Sequence, residues 1–138
     1  MKQKDKELLL KDLTARMLYG VCVHIIYKEG EPCYGKLTPK DIRWFIDSKI
    51  ENIKPYLRPM SSMTEEEKEE LSHLLPKDWS VDVDKFNNFY FNMCSSIFIE
   101  IDILLHIIDW INAHHFDYRG LIEKCLAIEA PKDMYTNN

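Results

Sequence analysis

Glycine is scarce in this sequence. Four occur among 138 residues, too few and too scattered to build a phosphate-cradling loop. Neither a G-x-S-x-G elbow nor an H-E-x-x-H zinc helix is present, which argues against nucleotide-dependent enzymes and the common hydrolase signatures. The four cysteines, at 22, 33, 94 and 125, form no C-x-x-C pair of the kind a small zinc module uses. Their irregular spacing, with no export signal in front, reads as buried free thiols rather than a disulfide framework. No uninterrupted apolar run reaches the roughly 18 residues of a membrane span. The greasiest stretch, 97–111, is broken by Glu100, Asp102, His106 and Asp109. The first six residues carry charges of both signs and only three leucines follow, unlike a signal peptide. An excess of positive charge is missing too. The formal net charge of −5 opposes a sequence-independent grip on a phosphate backbone and leaves room only for a local basic patch. The expectation is a soluble, cytoplasmic protein with no membrane contact and no cofactor.

What is present suits one small α+β domain spanning 1–138: 46% hydrophobic and 30% charged residues in a chain long enough for its own core. Residues 3–17 read as a helix with Leu9, Leu13 and Met17 on one stripe beside Leu10, and Lys4, Asp5, Lys11 and Asp12 opposite. The run 21–27 reads as a strand, the turn chemistry at 29–32 follows, and 33–37 pairs back as a hairpin. Segment 42–47 alternates like a strand through Ile42, Trp44 and Ile46, while Thr38 and Pro39 form a helix start. A lone hairpin needs a third strand, which tips this segment towards strand and makes 21–47 the β-rich part. Residues 51–63 read as a connector held by Pro55 and Pro59. Thr64 and Glu67 form a capping box for a helix running to about 75. Residues 77–96 read as irregular structure with at most a short helix. A helix over 99–113 prevails over a strand because its apolar stripe outlasts any usual strand. The chain turns at 116–120, packs back over 121–130 as a short helix or final strand, and ends in a tail from 131.

Three clusters carry chemistry. His114, His115, Asp117 and Arg119 gather imidazoles, a carboxylate and a guanidinium at a helix end; they are the candidate catalytic set of a His-based hydrolase, or simply the cap of a helix terminus. Asp102, His106 and Asp109 stack at i, i+4 and i+7, as metal ligands or as the polar face of an amphipathic helix. Between Lys36 and Arg58 lie six basic and three acidic residues; Lys49, Lys54, Tyr56 and Arg58 are the candidate nucleic-acid contacts, or a solvated face paired with the glutamates that follow.

Two long motifs and two short ones carry a resemblance. They are KPYLRPMSSMTEEE at 54–67, DWINAHHFDYRGLIEK at 109–124, LAIEAP at 126–131 and LYGV at 18–21. They resemble a set of uncharacterised small proteins encoded by phages, prophages and other mobile elements of gut bacteria, over about half the chain. The resemblance implies a bacterial cytoplasm, no transferable activity, and a β-rich part built as a small antiparallel meander or barrel. A glycine often stands where this chain has Cys125, so a left-handed turn there would be strained. The stretch 79–98 lies outside the resembling motifs.

With no nucleophile motif and a surplus of aromatics, seven Tyr, six Phe and three Trp, the leading expectation is a non-enzymatic module that binds an unidentified protein or a second copy of itself. Nucleic-acid binding through residues 36–58 is the alternative, and a His-based or metal-dependent hydrolase the second alternative.

Overall fold

A computed structural model describes residues 1–75, 79–84, 89–93 and 101–135. Helix α1 (Gln3–Arg16) runs through a 3-10 turn into strand β1 (Cys22–Tyr27) and its hairpin partner β2 (Cys33–Lys36). Helix α2 (Pro39–Ile46) leads to β3 (Ile50–Leu57), α3 (Glu65–Ser72), the hairpin β4 (Trp79–Val83) and β5 (Phe89–Met93), α4 (Ile101–Ala113) and a two-residue β6 (Ile128–Glu129). The fold is the expected α+β single small domain. Its sheet, in the order β2-β1-β3-β6, stays open rather than closing into a barrel.

Several elements differ from expectation. The segment favoured as a strand, 42–47, lies in α2. The Thr38 hydroxyl accepts the Asp41 N–H, the Asp41 carboxylate accepts the Thr38 N–H at 2.9 Å, and Pro39 presets the first turn. The third strand is instead β3, inside the segment expected as a connector. It pairs antiparallel with β1, Val23 opposite Pro55. Pro55 is tolerated because β6 joins only at Tyr56, in parallel, so at residue 55 that side of β3 is still an edge. Residues 79–83 and 89–93, expected as irregular, form an antiparallel hairpin with Trp79 opposite Met93. Ser80 is exposed and Val81 buried, the alternation of a half-buried strand. The expected start of α4 at 99–100 and the thiol of Cys94 lie outside the described residues.

Helix α3 begins at its Thr64–Glu67 capping box and ends at Ser72, in turns rather than reaching residue 75 as helix. Residues 121–127 are turns ahead of the short β6. The expected tail is folded back: the Tyr135 hydroxyl accepts the Cys22 N–H at 2.9 Å and donates to the Tyr56 carbonyl at 2.7 Å, bridging β1 and β3. Of the described cysteines, all free, Cys22 and Cys33 are half-buried and Cys125 is exposed, contrary to the buried thiols expected.

Two apolar clusters hold the chain together. One lies between α1, α2 and one face of the four-stranded sheet, around Leu9, Leu13, Val23, Ile25, Phe45, Ile53 and Leu57. The other gathers Met60, Met63, Leu71, Val81, Ile107, Ile111 and Phe116 from α3, β4, α4 and the adjoining turns.

Among the described residues three non-glycines have positive φ: Ser48 (59°), His115 (63°) and Cys125 (60°). Each closes the same terminator. After α2, Lys49 N–H reaches the Trp44 carbonyl and Ser48 N–H that of Phe45; after α4, Phe116 reaches Ile111 and His115 reaches Asn112. At the third, Leu126 reaches Leu121 and Cys125 reaches Ile122. This is the paired 6→1 and 5→2 pattern that usually ends on glycine. The left-handed cost at Cys125 exceeds the chain entropy a glycine would add. Cys125→Gly is therefore expected to stabilise the fold by about 0.5–1 kcal/mol, read as a higher urea midpoint at unchanged m-value.

Candidate functional site

The resembling motifs meet in space. Beyond β3, Arg58 N–H donates to the His115 carbonyl and Asp117 N–H to the Arg58 carbonyl, both at 2.8 Å, so the turn after α4 docks on the strand end. The Arg58 guanidinium lies 4.1 Å over the Phe116 ring and forks onto both Glu67 oxygens at 2.8 and 2.7 Å. Glu67 also accepts the Thr64 N–H at 3.0 Å. Partial burial pushes its carboxyl up, but the bonds from Arg58 and Thr64 prevail and hold it below the usual carboxylate range. Arg58 is thereby neutralised and fixed.

The candidate catalytic residues diverge. The His114 ring stacks on Trp110 at 3.9 Å with Nδ1 2.8 Å from the Trp110 carbonyl. His115, the left-handed residue that ends α4, is buried and stacks on Tyr135 at 3.7 Å; its Nδ1 has no hydrogen-bond partner. Both Asp117 oxygens are taken up by backbone, the N–H groups of Leu121 and Ile122 at 2.8 and 2.9 Å. The Arg119 Nε lies 3.4 Å from Asp12. A groove of about 600 Å³ opens beside them, lined by Arg58, Ser62, His114, Glu129, Lys132 and Tyr135 among others. Of the four candidates only His114 faces it. The set behaves as a helix terminus whose polar atoms hold backbone.

The candidate metal ligands Asp102, His106 and Asp109 are exposed on α4, and no group of three or more His, Cys, Asp or Glu among the described residues converges to hold an ion. Asp109 bonds the Tyr19 hydroxyl, whose pKa is raised by burial and then by that carboxylate.

The candidate nucleic-acid residues are split. The Lys49 ammonium sits 5.8 Å from the Trp44 ring centre, which Lys40 approaches from 4.2 Å. Arg58 is held by Glu67. Lys54 and Tyr56 lie on the outward face of β3, opposite its core residues Ile53 and Leu57. Tyr56 is buried with its ring 6.3 Å from that of Tyr34. Lys54 also borders a shallow groove with Asp5 and Glu51.

The residues that sequence reasoning missed are Asp12 and Arg16, both 0% exposed, although Asp12 was expected on the solvent side of α1. Arg16 Nε donates to Asp12 Oδ2 at 2.8 Å and its Nη2 to the Phe116 carbonyl at 2.6 Å. Burial pushes the Asp12 carboxyl up against the opposing pull of Arg16. The signal was present: residues 9, 12, 13 and 16 form one i, i+3, i+4, i+7 stripe, so a carboxylate and a guanidinium share the face of Leu9 and Leu13.

Two outcomes are expected. Arg16→Leu takes from the buried Asp12 its hydrogen-bonded partner, leaving Arg119 at 3.4 Å, and should destabilise the fold by about 3–5 kcal/mol in urea unfolding. His115 has its pKa lowered from 6.5 to about 4, by burial first and then by Arg16, His114 and Arg58. A histidine that binds its proton less tightly when folded contributes fully above its unfolded pKa, and that contribution is lost as pH falls towards the folded value. Stability should therefore drop by about 2 kcal/mol between about pH 7 and about pH 5, and this drop should vanish in His115→Asn, which suits the left-handed backbone. Urea midpoints at the two pH values measure it.

No family model, curated protein or solved structure matches the chain.

Proposed function

We propose that this protein is a non-enzymatic interaction module that associates with a second copy of itself through α4, in the cytoplasm of a bacterial host. One observation carries the reading. Ile101 (75% exposed), Leu104, Leu105 (55%) and Ile108 form an i, i+3, i+4, i+7 stripe on the solvent side of α4, while Ile107 and Ile111 on its other side enter the core. A surface helix normally keeps its apolar residues on one buried face. This one has a second apolar face, and contiguous exposed apolar surface marks contact sites.

A second copy suits the stripe because its pattern is symmetric about the midpoint between Leu104 and Leu105. Antiparallel pairing across a two-fold axis sets Ile101 against Ile108 and Leu104 against Leu105. Engagement of Asp117 by backbone and of Arg58 by Glu67 supports a binding rather than a catalytic role. The resemblance to mobile-element proteins supplies the bacterial setting.

A single helix pair buries well under the roughly 800 Å² per partner of a standard interface, so the dimer should be weak, with a Kd on the order of 10–1000 μM. Asp102 and Asp109 flank the stripe and the chain carries −5, so association should strengthen as salt screens the like charges. Sedimentation velocity over a concentration series reads this directly. Leu105→Glu should be monomeric throughout with an unchanged unfolding midpoint. A wild-type chain that stays monomeric at about 1 mM in high salt, or a Leu105→Glu chain that associates equally well, would overturn the proposal.

A further inference from the structure

The second surface is the outward face of the four-stranded sheet, open around Tyr34 although Tyr56 is buried and Tyr135 reaches the end of β1 and β3. Helices α1 and α2 pack on one face only, against Val23, Ile25 and Ile53. Strand alternation sends His24, Tyr34, Lys36, Lys54 and Tyr56 to the other. Across the strands His24 stands between Tyr34 and Lys54, and Cys22 is paired with Lys36. The His24 and Tyr34 rings are parallel within 6° at 4.6 Å, and Tyr34 comes within 6.3 Å of Tyr56.

Tyr34 is 70% exposed although it is one of the larger aromatic side chains of the sheet. His24 covers one side of its ring, and Tyr56 lies beside it. Neither Lys36 nor Lys54 joins the ion pairs of the described residues. No carboxylate occupies an outward position on β1, on β2, or on β3 between residues 52 and 56. An acidic protein thus carries on this face an aromatic cluster flanked by Lys36 and Lys54, the latter beside Asp5 and Glu51.

Such a face fits a ligand with flat rings at intervals and negative charge between them. We propose that the outward face of the sheet binds single-stranded nucleic acid, one base continuing the His24–Tyr34 stack and Lys36, with Lys54, taking flanking phosphates. Bases stack on exposed aromatics whatever their identity, so the binding is tolerant of sequence. A duplex keeps its bases inside its own stack and offers none to Tyr34. This surface is separate from the α4 stripe, and neither proposal depends on the other.

Fluorescence anisotropy with labelled oligo(dT) and oligo(U) of roughly 12 nucleotides, and a duplex of the same length, tests it on the whole chain. Both single strands should bind and the duplex at least about tenfold more weakly. Tyr34→Ala should weaken binding by about 5- to 100-fold while Tyr34→Phe, which keeps the ring, retains it. Affinity should fall between about 50 mM and about 200 mM salt, and Lys36→Ala should flatten the dependence of log K on log salt by about 0.7. Circular dichroism and unfolding midpoints equal to wild type confirm that each variant is folded. Binding of neither strand at low salt, equal binding of duplex, or a folded Tyr34→Ala chain within twofold of wild type would overturn the proposal. A face built for a polypeptide would give the first of these results.

Discussion

Everything in this molecule leans on one buried contact, the Asp12–Arg16 pair and its third member, the Phe116 carbonyl. Helix α1 belongs to the first apolar cluster and Phe116 to the second. Arg16 spans them, satisfying the carbonyl of a turn one hundred residues away in sequence while its own charge is balanced on the same helix. Desolvating two ions is costly, and the interior repays it only when geometry and additional hydrogen bonds are good. Here the pair also fixes the position of the 114–119 turn, because Arg119 approaches the same carboxylate and Tyr118 lies 5.1 Å from both guanidinium groups.

That constraint explains why the most chemical-looking stretch of the sequence acts as scaffold. Once Arg16 holds Phe116, the neighbours have little choice. His115 takes the left-handed position that stops α4, Asp117 gathers the N–H groups of Leu121 and Ile122, and Arg58 pairs its backbone with the same turn. Residues rich in protons and charge are consumed in building a junction. The exposed apolar stripe and the exposed aromatic cluster lie elsewhere, on the far side of α4 and on the outward face of the sheet.

How much of this could be read from the chain varied with how local the cause was. Helix α1, the β1–β2 hairpin and the Thr64 cap follow from neighbouring residues and were legible. Helix α2 carried an equally local signal in Thr38, Pro39 and Asp41, but a hairpin in need of a third strand drew its residues towards strand. The strand itself hid in 50–57 behind Pro55, whose tolerance depends on where β6 begins, a tertiary fact. The end of α4 at 113 was legible from its apolar stripe, whereas nothing announced the end of α2, because Ser48 stands where glycine usually marks a stop. The partnership of Asp12 and Arg16 was visible as spacing, though the usual preference of charge for water concealed it. Among the site candidates, residue type pointed to the 114–119 cluster, and only the directions of the side chains distinguished reacting groups from supporting ones.

The Tyr135 bridge has a consequence for the order in which the molecule is made. Strands β1 and β3 are both synthesised early, yet at Cys22 and Tyr56 they are joined through a phenol that leaves the ribosome some eighty residues after Tyr56. Until then this end of the seam is left to water, and the parallel β6 that flanks it has not been made either. A nascent chain can therefore form α1, the hairpin and the pairing of β1 with β3, while the bridge at Cys22 and Tyr56 and the last strand of the sheet wait for the C-terminal segment.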